Sequence, residues 1–107
     1  MNKDLKRLEE ELKTIREKID AVDEKLKSLL IERFELIERI IEIKKNLEVY
    51  YFDSKREYDI FKMILKDLPD DKVKPIQNIF ERILDESRAF QSKKLNQKPT
   101  SNAKNSN

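Results

Sequence analysis

Arg33 and Lys44 are the residues of this chain whose type and spacing first suggest chemistry. Arg33 stands at a position where a run of regularly spaced Leu, Ile and Val residues should hold another apolar side chain. At 100° per residue, Lys44 lies about 20° round a helix from Arg33 and roughly 16 Å along its axis. Two long cations placed in this way could bind a small anion between them. Taken alone, a charged residue in such a seam commonly sets coiled-coil register or oligomeric state.

Arg16 is a third candidate for binding an anion. It precedes Arg33 by 17 residues, which corresponds to about 25 Å along one helix. It therefore cannot share a small ligand with Arg33 of its own chain, but Arg16 from an antiparallel partner chain could. Taken alone, Arg16 and Lys44 are typical of solvated surface cations.

Glu57, Ser87 and Gln91 are polar candidates in the second half of the chain. Ser54-Lys55-Arg56-Glu57 fits a capping box, and this would account for Glu57 without any function. Ser87 and Gln91 occupy positions where the apolar stripe of the last predicted helix should continue. A helix end that runs out of core could also account for these two residues.

A very long first helix, about residues 3–47, must position the three cations. Its heptad seam has thirteen positions at alternating spacings of three and four, and twelve of them are apolar. Such a helix measures roughly 65 Å, against a radius of gyration of about 13 Å for a compact 100-residue domain. One chain cannot cover it, so at least a dimer is expected. From Leu29 onward the stripe widens to most of the circumference, which indicates the core of a helical bundle.

Two shorter helices are predicted to follow a connection over residues 48–53. The second should begin at Asp53 or Ser54 and end at Leu68, because a proline comes next. The third should begin around Asp71, with Pro75 tolerated only in its first turn. Residues 1–95 are therefore expected to form one helical domain, followed by a disordered, basic, Lys/Asn/Ser-rich tail over residues 96–107.

The residue types that the chain lacks exclude several kinds of site. There is no glycine, histidine or cysteine, and 43% of the residues are charged. Without glycine there are no type I′ hairpin turns and no Gly-rich phosphate loops. The abundant Leu, Ile, Glu and Lys favour helix, so the fold class is all-α. Without histidine and cysteine, disulfides, thiolate nucleophiles and the usual transition-metal ligands are excluded. Neither a metal nor a cofactor is expected.

The net charge of +2 arises from the tail. Residues 92–107 hold four lysines and no acid, whereas the preceding 91 residues hold 20 basic and 22 acidic side chains. A nucleic-acid binder should carry a basic face on its folded part, so no nucleic-acid partner is expected. The charged N-terminus lacks the apolar region of a signal peptide, and no apolar run reaches membrane-spanning length. A cytoplasmic location is expected.

The candidate residues occur in an order that resembles a known enzyme family. The chain reads Arg16-Glu-Lys-Ile-Asp early in the first helix, Asp53-Ser-Lys-Arg56-Glu57 at the second, and Ser87-Arg-Ala-Phe-Gln91 in the third. In order and spacing it resembles the all-helical class of chorismate mutases over nearly all of residues 5–91. The resemblance implies an intertwined homodimeric helical bundle with three helices per chain and two active sites, both spanned by the first helix.

The resemblance also implies an activity and roles for the candidates. The family converts chorismate to prephenate, a cofactor-free Claisen rearrangement in phenylalanine and tyrosine biosynthesis. Arg33, Arg56 and Arg16 of the partner subunit would then bind the dianionic substrate. Lys44 and Gln91 would donate hydrogen bonds to its ether oxygen.

The remaining matched positions complete the implied site. Glu57 would accept a hydrogen bond from the ring hydroxyl of the substrate, the backbone of Asp53 would help there, and Ser87 would border the pocket. Because an amide donates at any pH, Gln91 predicts an activity that varies little between about pH 5 and 8.

Two alternatives remain open on the sequence. Isochorismate-pyruvate lyase activity on the same scaffold needs similar charges, and only a lyase releases pyruvate and salicylate from isochorismate. A non-enzymatic helical dimerisation module would also show the heptads. For the module, Arg33→Leu should be neutral or stabilising and otherwise silent.

Overall fold

A computed structural model describes residues 2–49 and 52–96, and within these ranges the chain forms three α-helices and no strand. α1 covers Asn2–Leu47, α2 covers Ser54–Ile64 and α3 covers Asp70–Leu95. This confirms the prediction of an all-α chain with three helices, of which the first is much the longest.

The chain divides into two compact units between Leu36 and Ile37. The first unit contains the part of α1 that carries most of the predicted heptad seam. Its seam residues are about half exposed, from 47% at Leu12 to 60% at Leu5 and Leu29. Within the described residues, the apolar seam of this unit therefore remains open to solvent.

The second unit contains the end of α1 together with α2 and α3, and all three helices contribute to its core. The buried apolar residues are Ile37 and Ile41 of α1, Ile60 of α2 and Leu84 of α3, each at most 9% exposed. Burying a side chain of this size contributes about 1.5–3 kcal/mol relative to leaving it exposed. These residues thus hold together the three helices that carry the second half of the predicted site.

α1 ends in a Schellman motif that contains no glycine. Glu48 has a left-handed backbone with φ of 58°. The N–H of Val49 donates to the carbonyl of Lys44 at 2.9 Å, and the N–H of Glu48 donates to the carbonyl of Lys45 at 3.2 Å. These two bonds satisfy carbonyl groups that a helix end otherwise leaves unpaired. The left-handed conformation costs about 1–2 kcal/mol for a residue with a Cβ.

α2 begins at Ser54, as predicted, but its N-terminal cap differs from the prediction. Asp53 is the N-cap, and its carboxylate accepts a hydrogen bond from the N–H of Arg56 at 3.0 Å. The predicted capping box is therefore wrong, because its register is one residue too late. Asp and Ser are equally good N-caps, so propensity alone does not choose between Asp53 and Ser54. Glu57 lies four residues beyond the cap and is available for a different contact.

The end of α2 and the position of Pro75 within α3 also depart from expectation. α2 ends at Ile64 rather than Leu68, and the chain turns through Asp67, whose φ is 59°. Pro69, with φ of −58° and ψ of 145°, then precedes α3. Pro75 is the sixth residue of α3 and lies in its second turn, whereas it was expected to be tolerated only in the first. The carbonyl that loses its N–H donor lies four residues earlier, in the exposed first turn, where water can bind it.

Some predictions fall outside the described residues. The expected disordered tail, residues 96–107, lies outside them except for Asn96, and so do Tyr50 and Tyr51 of the predicted connection. The single domain over residues 1–95 stays a prediction. In the described ranges, no helix combines the length and the apolar character that crossing a bilayer requires. The cytoplasmic location and the absence of a nucleic-acid partner stay predictions.

Candidate active site

Lys44 and Gln91, 47 residues apart in sequence, meet in the second unit. The Lys44 ammonium donates a hydrogen bond to Oε1 of Gln91 at 3.1 Å, and the contact is partly buried. Lys44 lies in the last turn of α1, and Gln91 lies near the C-terminal end of α3. The contact therefore joins two helices that the sequence places far apart.

The Lys44–Gln91 pair can concentrate hydrogen-bond donors at one point. An ammonium has three N–H donors and a glutamine amide has two. The Lys44 ammonium also lies 5.7 Å from the centroid of the Phe52 ring, within the range of a cation–π interaction. Phe52 lies in the connection between α1 and α2, so this second contact of the ammonium is made outside α3. Such a pair suits an acceptor oxygen that gains negative charge.

Ser87 lies one turn before Gln91 on α3 and is 4% exposed. Its hydroxyl donates to the carbonyl of Ile83 at 2.8 Å, on its own helix. This bond explains how a hydroxyl can occupy a core position, because the buried donor is satisfied locally. Ser87 therefore belongs to the core of the second unit, one helical turn before Gln91.

Glu57 is joined to α3 by Arg88, a residue that the sequence analysis did not single out. Nη1 of Arg88 donates to Oε1 of Glu57, and Nη2 of Arg88 donates to Oδ1 of Asp85 on the same helix. The hydrogen bond with Glu57 raises the pKa of the Arg88 guanidinium. Partial desolvation lowers this pKa, but the negative charges of Glu57 and Asp85 raise it further. The three side chains form an ionised network between α2 and α3.

One sequence signal could have pointed to Arg88. Asp85 and Arg88 are three residues apart, the spacing at which opposite charges pair on a helix. The contact between Arg88 and Glu57 spans 31 residues, and no local pattern marks it.

Asp53 and Arg56 lie together at the start of α2. The Asp53 carboxylate accepts the N–H of Arg56, so that carboxylate has a structural role at the helix N-terminus. Both residues are exposed. The guanidinium of Arg56 thus extends from a helix end whose backbone is held by the cap.

Arg16 and Arg33 belong to the first unit. Arg33 is half-buried, whereas Arg16 is exposed. Arg16 borders a shallow hollow on α1 together with Glu9, Leu12, Lys13, Glu17 and Asp20, which all belong to the same helix. The described part of the chain shows no group of three or more acidic residues placed to hold a metal ion.

Comparison with known proteins places the chain in a family. The model of the chorismate mutase type II family matches residues 15–92 of the chain. The chain belongs to this family. The match contains every candidate from Arg16 to Gln91, and it confirms the resemblance and, with it, the predicted chorismate mutase activity.

Two relatives agree with the family. The chain is 33% identical over 98 residues to a chorismate mutase of Methanocaldococcus jannaschii, and the alignment covers 89% of this chain and 98% of that protein. It is 44% identical over 57 residues to a bifunctional chorismate mutase/prephenate dehydratase of Aquifex aeolicus. That alignment covers 53% of this chain and only 16% of the Aquifex protein. No solved structure matches the chain.

Proposed function

We propose that the chain converts chorismate to prephenate at a site centred on Lys44 and Gln91. The observation that carries the proposal is the 3.1 Å hydrogen bond between these two side chains. In this rearrangement the ether C–O bond breaks while a new C–C bond forms, and negative charge grows on the ether oxygen. Donors directed at that oxygen stabilise the transition state more than the ground state, and this difference is what accelerates the reaction.

The arginines bind the two carboxylates of the substrate. A guanidinium can bind a carboxylate through two parallel hydrogen bonds, which fixes orientation as well as charge. Arg33, half-buried in an otherwise apolar seam, has the partly desolvated surroundings in which such a contact is strong. Arg56 adds a further cation at the start of α2. Bound in this way, the substrate is held in the compact, chair-like conformation from which the rearrangement proceeds.

Three other residues complete the site. Glu57 accepts a hydrogen bond from the ring hydroxyl of chorismate, and the backbone of Asp53 assists at the same end. Ser87, buried one turn before Gln91 on α3, borders the pocket. None of these roles involves proton transfer, in agreement with a chain that has no histidine or cysteine.

The active form is an intertwined homodimer in which Arg16 of the partner subunit completes each site. The open seam of the first unit supports this. Its apolar residues are about half exposed, and burying them needs another apolar helix face of similar length, which a second copy supplies.

A direct assay tests the proposal. Purified protein is mixed with chorismate, the loss of chorismate is followed by absorbance, and the product is identified as prephenate. Isochorismate is supplied in a parallel reaction, where formation of salicylate and pyruvate would identify a lyase instead. If a folded, dimeric protein converts neither compound, the proposed activity is refuted and the non-enzymatic dimerisation module is the remaining interpretation.

A further inference from the structure

The guanidinium of Arg88 contacts two acids from two directions. It bridges Glu57, in the first turn of α2, and Asp85, on its own helix α3. The side chains of Arg88 and Glu57 are 35% and 29% exposed, whereas both partners are largely solvated in most ion pairs of the described residues. Exposed pairs on one helix contribute little, but this pair joins two helices and restricts a long, flexible carboxylate.

Arg88 also connects Glu57 with the Lys44–Gln91 pair. Arg88 and Gln91 are three residues apart on α3, so they are neighbours on the helix surface with Cβ atoms about 5–6 Å apart. Glu57 is therefore held beside the part of α3 that carries the amide of Gln91. The contact uses Oε1 of Glu57, and Oε2 is the second acceptor of the same carboxylate.

A charge argument leads to the same residue. Chorismate is a dianion, and an uncompensated carboxylate in its binding site would repel it. The site nevertheless needs an acceptor for the ring hydroxyl. The Arg88 guanidinium, which Glu57 shares with Asp85, places a positive charge directly beside the Glu57 carboxylate and bonds only one of its two oxygens. The free energy of orienting the carboxylate is then spent during folding and not during substrate binding.

We propose that Arg88 is a positioning residue for the reaction, which orients Glu57 to accept the ring hydroxyl of the substrate. This inference rests on the proposed chorismate mutase function. Arg88 acts through Glu57 and makes no contact with the reacting atoms.

The first test compares Arg88→Met with Arg82→Met. Arg82 is the matched control, because it lies on the same helix and pairs with Glu86 on that helix at 2.6 Å. We expect kcat/KM for chorismate to fall roughly tenfold in R88M and to stay within twofold of wild type in R82M. Arg88→Lys, which keeps the charge but not the two-way geometry, should recover part of the loss. Circular dichroism establishes whether each variant is folded. If R88M does not fold, the comparison with R82M is made with R88K instead.

The second test separates positioning of Glu57 from a general structural role. If Arg88 acts through Glu57, the double variant E57A/R88M should match E57A alone within about twofold. A chorismate analogue without the ring hydroxyl should be converted equally well by wild type and R88M. Multiplied losses in the double variant, or an equal loss with the analogue, would overturn the inference.

The outcomes distinguish this inference from the function on which it rests. A wild-type protein without mutase activity would refute the proposed function. An active wild type whose R88M and R88K variants are equally active would refute only the role of Arg88.

Discussion

The ammonium of Lys44, in the last turn of α1, lies 3.1 Å from Oε1 of Gln91 on α3. Because Oε1 accepts from Lys44, the amide nitrogen is the end of Gln91 that can donate to a substrate. The same contact places a full positive charge next to that donor. The two residues thus act as one unit directed at a developing negative charge.

The first prediction concerns this charge. Lys44→Ala removes the ammonium, and we expect kcat to fall about 100-fold to 1,000-fold, the effect typical of losing one donor to a developing oxyanion. Lys45→Ala is the matched control, since Lys45 is the adjacent, exposed cation of the same helix turn. Steady-state kinetics should show Lys45→Ala within twofold of wild type. Equal losses in the two variants would indicate a general effect of charge rather than a donor at the reacting oxygen.

The second prediction concerns pH. Wild-type activity should vary little between about pH 5 and 8, because the amide of Gln91 donates at any pH. In Gln91→Glu the introduced carboxyl donates only when protonated. The ordinary pKa of a glutamate carboxyl is about 4.3. Its contribution is therefore present below its pKa and lost as the pH rises. We expect kcat/KM of this variant to fall about tenfold per pH unit above that pKa.

A pH series of kcat/KM for both proteins, with circular dichroism at each pH, makes the comparison. A steep loss of wild-type activity above neutrality, with the fold intact, would contradict the assignment of Gln91 as the donor to the ether oxygen.

The sequence predicted the elements whose pattern is long and repetitive. α1 has twelve apolar residues at heptad spacing, and its end at Leu47 agrees with the structure. The start of α2 was harder, because Asp53 and Ser54 are both good N-caps and the choice depends on how the chain leaves α1. The end of α2 was harder still, because the chain turns through Asp67 with φ of 59°, a left-handed conformation that is uncommon outside glycine although Asp adopts it more often than most residues.

In the candidate site, too, local sequence patterns do not predict contacts between distant helices. Lys44 and Gln91 could be paired only by family resemblance, since composition and periodicity say nothing about which side chains of distant helices meet. Arg88 was missed for a related reason. Its contact with Glu57 depends on how α2 and α3 pack, and the locally satisfactory capping box offered Glu57 another role.

The third prediction concerns stability at the end of α1. Glu48 is left-handed with φ of 58°, so Glu48→Gly removes a steric cost and should raise the unfolding free energy by about 1 kcal/mol. Glu42→Gly, within the regular part of α1, should lower it by about 1 kcal/mol. Thermal unfolding at one fixed protein concentration measures both changes. Destabilisation by Glu48→Gly would show that the Glu48 side chain contributes more than its backbone conformation costs.

The fourth prediction concerns Arg33. Replacing it with leucine restores an apolar side chain to the seam, so Arg33→Leu should fold with unchanged or higher thermal stability. Activity should nevertheless be lost, because a carboxylate of chorismate loses its bidentate partner. Thermal unfolding and the chorismate assay are run on the same sample. Full activity in this variant would support the view that Arg33 only sets the register of a dimer.

The last prediction concerns the sharing of sites between two chains. If Arg16 of the partner subunit completes the site that contains Lys44, then Arg16→Ala and Lys44→Ala each inactivate both sites of their own homodimer. A mixed dimer, however, has one intact site. Random reassociation makes half of the dimers mixed, so we expect a mixture refolded together to regain about a quarter of wild-type activity.

Lys44→Ala mixed with Gln91→Ala is the matched control for this experiment. These two residues contact each other within one chain, so every site of that mixed dimer lacks one of them and no activity should return. Native mass spectrometry of the mixtures establishes how much mixed dimer is present. If the Arg16→Ala and Lys44→Ala mixture forms mixed dimers without regaining activity, Arg16 does not complete the partner's site, and the open seam of the first unit must be explained without shared active sites.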